Sequence, residues 1–112
     1  MCTKAQAITI LGEVYNECSN IFDSVHDAYL YGSYARGDYT NESDVDILVT
    51  ANLSREQISS QRMKLASVTS NLSLKHNVTV SLTVKPLEHF NRYLSVLPYY
   101  KNVVSEGIRY EA

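Results

Sequence analysis

Residues 31–49 of the chain read YGSYARGDYTNESDVDILV, a stretch that joins a glycine turn to two aspartates on a strand-like segment. The hydrophobic run of residues 28–31 ends at Gly32, where the absence of a Cβ lets the backbone turn sharply and approach a ligand closely. Ser33 follows, and we expect it to cap a short helical turn through Arg36. The backbone N–H groups exposed at the start of such a turn suit a phosphate group.

The second half of the stretch, residues 43–49, alternates polar and apolar side chains and predicts a strand. Strand side chains point alternately to opposite faces, so the apolar residues would enter the core. Asp44 and Asp46 would then lie side by side on the other face, where two ionised carboxylates repel each other unless a cation lies between them. Mg²⁺ suits this position, because it binds one or two carboxylates together with substrate phosphates. The pattern therefore predicts a metal-assisted phosphate site.

Length and composition are typical of a single soluble domain over residues 1–112, with 45% hydrophobic and 20% charged residues. A net charge of -2 gives no bulk attraction for nucleic acid or anionic lipid. No Lys/Arg cluster in the sequence predicts a local basic patch, so there is no strong case for a nucleic-acid partner. Neither a signal peptide nor a membrane-length apolar run is present, and we expect a cytoplasmic location without a membrane partner.

The rest of the sequence predicts helices and further strands. Thr3 with Gln6 and Ser54 with Gln57 form capping boxes that open two helices, and Gly107 is expected to end the last helix in a left-handed cap. In chain order we predict helix 3–22, strand 25–31, strand 43–49, helix 54–74, strand 77–85, a helix that begins at Pro86 and a helical segment over 99–105. Residues 108–110 add a short edge strand or simply pack against the domain. About ten residues connect the first two strands, which permits antiparallel or parallel pairing. We therefore predict an α/β (α+β) domain whose small mixed sheet of three to four strands packs against helices.

Two segments, GSYARG at residues 32–37 and SDVD at residues 43–46, resemble the signature of the nucleotidyltransferase superfamily, which includes polymerase-β-like enzymes. The brevity of the chain and this form of the motif are similar to the minimal nucleotidyltransferases of prokaryotes, including their antitoxin branch. The ending LPYYKNVVSEGIRY, residues 97–110, is also similar to the tail of small bacterial members. The resemblance implies the nucleotidyltransferase fold.

The resemblance also implies a role for each motif residue. Gly32 and Ser33 would bind the β- and γ-phosphates of a nucleoside triphosphate through backbone N–H groups and the Ser33 hydroxyl. Asp44 and Asp46 would be the catalytic carboxylates and would ligate Mg²⁺ or Mn²⁺. Arg36 would neutralise phosphate charge or position the acceptor. The reaction would be an in-line attack on the α-phosphorus, with departure of pyrophosphate.

The third predicted strand departs from the family pattern. Active members usually carry a third carboxylate on the strand beside the D-x-D strand, where it ligates a second metal and helps to deprotonate the attacking hydroxyl. Here that position falls on Ser81 or Thr79, and neither side chain is acidic. Either one metal suffices, or a partner supplies the missing group, or the site binds nucleotide without turning it over.

Two functions follow from the resemblance. The first is a Mg²⁺-dependent transferase that moves a nucleoside monophosphate, AMP from ATP, to an acceptor hydroxyl. Small relatives work as antitoxins that adenylylate a tyrosine of a helical HEPN-domain toxin, which implies such a partner here. The alternative is a degenerate, non-catalytic module that binds nucleotide or a protein partner. A small domain with an open substrate cleft would also gain from forming a homodimer.

Overall fold

The computed structural model describes residues 2–111, which form a four-stranded sheet with helices on both faces. In chain order the elements are α1 (Lys4–Ile21), β1 (Val25–Tyr31), α2 (Ser33–Arg36), β2 (Val45–Ala51), α3 (Arg55–Ser59), α4 (Arg62–His76), β3 (Val80–Pro86), α5 (Leu87–Tyr93), α6 (Pro98–Glu106) and β4 (Ile108–Arg109). The strand order is β3-β2-β1-β4, with β1 antiparallel to β2 and β4 and with β3 parallel to β2. This mixed sheet confirms the predicted fold class, and it shows that the first two strands pair antiparallel.

The alternation along β1 and β2 divides the core between the two faces of the sheet. One face packs against α1 and α4, and its buried residues include Leu11, Val14, Ala28, Leu30, Val45, Ile47, Val49 and Leu72. The opposite face carries a smaller cluster under α5 and α6, made of Tyr29, Leu48, Phe90, Tyr100 and Val103. Because residues two apart on a strand share a face, Asp46 lies on the α5–α6 side of the sheet together with Leu48.

Both predicted capping boxes are confirmed. The Thr3 hydroxyl accepts a hydrogen bond from the Gln6 backbone N–H at 3.2 Å, and the Gln6 side chain accepts one from the Thr3 N–H at 3.0 Å. Ser54 and Gln57 make the same reciprocal pair, at 3.1 and 2.8 Å. Each box satisfies backbone donors that the start of a helix leaves without an intrahelical partner.

The prediction of one continuous helix over residues 54–74 is wrong, because two helices, α3 and α4, occupy this segment. The break falls between α3 and α4, where the Ser60 hydroxyl donates to the Gln57 carbonyl at 2.7 Å. Serine side chains that bond nearby backbone groups compete with the helical ladder in this way. The α4 helix then continues to His76 and ends at Asn77, whose φ of 52° is left-handed. Within residues 2–111, none of the helices combines the length and the apolar character that crossing a membrane requires.

The C-terminal segment differs from the prediction at Gly107. Its φ of -77° and ψ of 164° are extended, so the expected left-handed cap is wrong. A Cβ at this position would collide with the Val103 carbonyl oxygen and lie 3.0 Å from the Leu30 carbonyl oxygen. Glycine is therefore required here because α6 and β1 approach its backbone closely. Of the two arrangements predicted for residues 108–110, the edge strand is the one present, as β4, which pairs with β1.

We expect Gly107→Ala to lower the free energy of unfolding by roughly 1–3 kcal/mol, the usual cost of forcing extra volume into packed structure. Urea denaturation measures this change. Gly12→Ala is the matched control, because its Cβ would meet only the Tyr110 ring, at 3.2 Å, and a helix interior favours alanine over glycine. Equal stability of the Gly107→Ala variant and the unmodified protein would contradict the close approach.

Candidate nucleotide-binding site

The structure brings Gly32 and Asp46 into contact. Tyr31, the last residue of β1, pairs with Asp46 across the antiparallel ladder, so the turn that follows β1 lies beside the Asp46 carboxylate. Gly32 has a φ of 75° and a ψ of -155°, a region that glycine alone occupies readily. An added Cβ would lie 2.5 Å from Asp46 Oδ2. The glycine is therefore needed both for the backbone turn and for the space that the carboxylate occupies.

Ser33 does not cap the following turn, and that part of the prediction is wrong. Gly32 is the cap residue of α2, and its carbonyl accepts hydrogen bonds from the N–H groups of Ala35 and Arg36, both at 3.1 Å. Ser33 is instead the first residue of the helical turn, half-buried beside Gly32. The predicted turn itself is present. Its start faces the same end of the sheet as the Asp46 carboxylate.

Arg36 forms two exposed ion pairs, with Asp38 at 3.3 Å and with Glu106 of α6 at 3.5 Å. Its side chain is 44% exposed, and exposed pairs of this kind contribute little to stability. Its positive charge also acts on Asp46, where it partly opposes a rise in the carboxyl pKa. Arg36 therefore lies within electrostatic range of the site and can exchange its partners at little cost.

The two aspartates carry negative charge, which Arg36 offsets only in part at Asp46. Burial raises the pKa of Asp46, and the nearby charge of Asp44 raises that pKa further. Neither carboxylate takes part in the ion pairs formed within residues 2–111. Charge of this kind favours a bound cation.

The donor set agrees with Mg²⁺ bound partly by substrate. The part of the chain that the structure describes holds no group of three or more His, Cys, Asp or Glu side chains able to bind a metal. Asp44 and Asp46 could hold a metal ion if substrate phosphates and water complete its coordination. Mg²⁺ is commonly bound in this way, with one or two carboxylates.

The strand register selects between the two residues predicted at the third carboxylate position. Ser81 of β3 is the direct partner of Asp46 in the parallel β2–β3 pair, so the two side chains share a face. Thr79 lies just before β3, and its carbonyl accepts a hydrogen bond from the Val45 N–H at 2.9 Å. The residue beside Asp46 is therefore an exposed serine hydroxyl.

Two tyrosines that the sequence analysis did not assign to the site also border it. The Tyr31 hydroxyl lies 2.9 Å from the Tyr99 hydroxyl of α6. Burial, the Tyr99 hydroxyl and the charge of Asp46 all raise the pKa of Tyr31, so its phenol stays neutral. Tyr31 directly precedes Gly32 in the sequence, which hints that it lies near the site. Its place beside Asp46 follows only from the antiparallel pairing of β1 and β2.

Comparison with known proteins identifies the family of the chain. Residues 11–110 match the family described as nucleotidyltransferase domain. The chain belongs to the nucleotidyltransferase family. A relative in this family is the Methanocaldococcus jannaschii protein named "Putative protein adenylyltransferase MJ0604". It is 36% identical over 78 residues, which cover 70% of this chain and 70% of that protein.

Solved nucleotidyltransferase structures show the same fold. A Sulfolobus solfataricus protein described as a nucleotidyltransferase superposes with a TM-score of 0.63 at 19% identity, covering 95% of this chain and 80% of its own. A complex of the tri-AMPylated HEPN toxin of Shewanella oneidensis with MNT antitoxin gives a TM-score of 0.51 at 17% identity, covering 92% and 70%. At these identities the likeness is one of fold.

Proposed function

We propose that this nucleotidyltransferase-family chain transfers AMP from ATP to a hydroxyl group of a protein. The observation that carries the proposal is the close approach of the Gly32 turn to the Asp46 carboxylate. It would bring phosphates bound at the turn next to a metal ion bound by the carboxylate. The name of the M. jannaschii relative supports adenylyl transfer to protein. Members of the family generally use a nucleoside triphosphate and a divalent metal, in agreement with these two parts of the site.

Each residue of the site has a separate proposed role in the reaction. Backbone N–H groups at Gly32 and Ser33, with the Ser33 hydroxyl, would bind and orient the β- and γ-phosphates. Arg36 would exchange its exposed ion pairs for phosphate charge. Asp44 and Asp46 would hold Mg²⁺, which when bound stabilises the charge that develops on the phosphate oxygens.

The acceptor that we propose is a tyrosine hydroxyl of a helical HEPN-domain partner, with the chain in the role of its antitoxin. Support comes from the structural neighbour in which an MNT antitoxin is bound to a tri-AMPylated HEPN toxin. The tyrosine hydroxyl would attack the α-phosphorus, form a new P–O bond and displace pyrophosphate as its proton leaves. The location that we propose for the chain and this partner is the cytoplasm.

The test is incubation of the purified protein with α-labelled ATP, Mg²⁺ and a candidate HEPN-domain partner. We expect label on a tyrosine of the partner, and none with the Asp44→Asn/Asp46→Asn double variant. Label transfer that survives in the double variant would rule out the roles proposed for the two aspartates.

A non-catalytic nucleotide-binding module is the second candidate, and the serine at position 81 is the observation that favours it. Without a third carboxylate, the second metal of a two-metal mechanism has one protein ligand fewer. Calorimetry of ATP binding, read together with the label-transfer assay, separates the two candidate functions. Mg²⁺-dependent binding of ATP without transfer to any partner would favour the binding module over the enzyme.

Ser81→Asp is expected to raise the rate of AMP transfer by about tenfold, which corresponds to about 1.4 kcal/mol of transition-state stabilisation. The new carboxylate would lie directly beside Asp46, where it could serve as an additional metal ligand. Ser81→Asn is the matched control, because it has the same shape without the charge. If initial rates of the two variants are equal, a missing charge at position 81 does not limit the reaction.

A further inference from the structure

A polar groove of about 380 Å³ lies at the end of the sheet opposite to the contact between Gly32 and Asp46. It forms where β2 and β3 end and where α3 and α5 begin, and its lining includes Asn52, Ser54, Arg55, Pro86, His89 and Arg92. Asp46 and the last residue of β2 are five positions apart, or roughly 17 Å along a strand. The volume of the groove is within the range of small-molecule sites. The groove is therefore separate from the candidate nucleotide site.

Two arginines from different elements line this groove, and a lysine from a third element lies in the cavity beside it. Arg55 belongs to α3, Lys85 to β3 and Arg92 to α5, and all three positive charges act on the His89 ring. Arg55 and Lys85 also line an adjoining cavity together. This Lys/Arg cluster could not be predicted from the sequence, because its residues are separated by up to 37 positions and the fold brings them together.

The positive charge at the groove is compensated only in part. Arg92 pairs with Glu88, which also lines the groove, at 2.7 Å. Arg55 and Lys85 are absent from the ion pairs formed within residues 2–111. The groove lining holds two cations and one carboxylate, an excess of one positive charge, and Lys85 adds a second positive charge in the adjoining cavity. The net charge of the whole chain is -2.

His89 provides a fixed polar group in the same place. Its Nδ1 lies 2.8 Å from the hydroxyl of Tyr100, and its ring packs against the rings of Tyr93 and Tyr100. Burial lowers the pKa of His89, and the charges of Arg55, Lys85 and Arg92 lower it further. The imidazole is therefore neutral at pH 7, and a bound anion would oppose the charges that keep it so.

We propose that this groove binds a small phosphate-bearing ligand at a site independent of the nucleotidyltransferase site. Arginine guanidinium groups bind phosphate oxygens in pairs, and lysine adds a point charge, so Arg55, Arg92 and Lys85 supply the donors that such a ligand needs. A dianionic phosphate would offset the charge of Arg55 in the groove and that of Lys85 in the adjoining cavity. The polar lining and the modest volume favour a small ligand of this class over an apolar one.

The test is an NMR titration of the full chain without Mg²⁺, using inorganic phosphate, pyrophosphate and AMP as separate probes. We expect saturable shifts of the His89 ring resonances and a rise in the His89 pKa when the groove is filled. The backbone amides of Gly32 and Ser33 report on the nucleotide site in the same spectra, so the two sites are read separately. The probe with the lowest dissociation constant distinguishes a free phosphate, a polyphosphate and a nucleotide as the source.

Variants complete the test. Arg55→Gln and Lys85→Gln are each expected to weaken binding at His89 by about five- to tenfold, since each removes a charge-assisted contact. Arg62→Gln and Lys101→Gln remove exposed cations outside the groove and are expected to leave that binding unchanged. The proposal is overturned if none of the three probes moves the His89 resonances at millimolar concentration. It is also overturned if Arg55→Gln and Lys85→Gln bind as tightly as the unmodified chain.

Discussion

Asp46→Asn is expected to lower AMP transfer by about a thousandfold or more, and at the same time to make the folded protein more stable at pH 7. A thousandfold loss corresponds to about 4 kcal/mol of transition-state stabilisation, which is of the size that loss of a metal-binding carboxylate produces. The gain in stability has a separate cause. Burial and the charge of Asp44 both disfavour the ionised form of this carboxyl group. An uncharged amide of the same shape removes that cost.

The stability difference should depend on pH in a defined direction. The pKa of Asp46 is higher in the folded state than its ordinary value of 3.8, so the folded state holds this proton more tightly than the unfolded state. The cost of the ionised carboxylate is therefore fully present above the folded-state pKa. It disappears as the pH falls from the folded-state pKa towards 3.8. The advantage of the variant should shrink over the same window.

Urea denaturation at pH 7 and at pH 4, together with the labelled-ATP assay, measures both effects. Asp23→Asn is the control, because Asp23 is an exposed carboxylate in the turn after α1. We expect that control to transfer AMP normally and to show little change in stability at either pH. A variant at Asp46 that is less stable than the unmodified protein at pH 7 would contradict the electrostatic account of the site.

Gly32→Ala is expected to lower the free energy of unfolding by roughly 2–3 kcal/mol and to reduce AMP transfer by about a hundredfold. The backbone conformation of Gly32 costs any other residue about 1–3 kcal/mol. The new Cβ must also displace Asp46 Oδ2, which would lie 2.5 Å away. Relief of this close contact moves a proposed metal ligand out of position. A misplacement of about 1 Å lowers a reaction rate by about a hundredfold.

Two further variants separate the backbone cost from the contact with Asp46. Gly37→Ala tests positive φ alone, since Gly37 has a φ of 96° and nothing within 4 Å of an added Cβ. It should cost about 1–2 kcal/mol. In an Asp46→Ala background the carboxylate is gone, and Gly32→Ala should then cost less than it does in the unmodified protein. Equal costs in the two backgrounds would show that the contact has no energetic effect.

Features that depend on neighbouring residues could be predicted from the sequence. The capping boxes at Thr3 and Ser54 were predicted correctly because serine or threonine and the glutamine three positions later contact each other within one helical turn. The strand that ends at Gly32 was predicted for a similar reason. Its run of apolar residues and the glycine that ends it are adjacent in the chain. The fold class followed from the order of such elements.

Features that depend on distant residues could not be predicted in full. Sequence alone left Ser81 or Thr79 at the third position, because the register of a parallel pair is set by packing across the sheet. The extended conformation of Gly107 was missed because it depends on the Leu30 backbone, 77 positions earlier. The groove cations were missed for the same reason, since each is unremarkable in its own segment.

Residues 37–44 connect the Gly32 turn to the strand that carries Asp46, and a pair of stacked aromatic rings holds this connection in place. Tyr34, which is only 1% exposed, stacks on Tyr39 with ring centroids 4.3 Å apart. The Tyr39 hydroxyl accepts a hydrogen bond from the Lys4 N–H at 3.4 Å, and Thr40 N–H donates to the Ser43 hydroxyl at 2.8 Å. Tyr34 is therefore not free to stack on a nucleotide base. The connection is preorganised, so a ligand loses little binding entropy in ordering it, and selectivity depends on shape and charge rather than on adaptation of the loop.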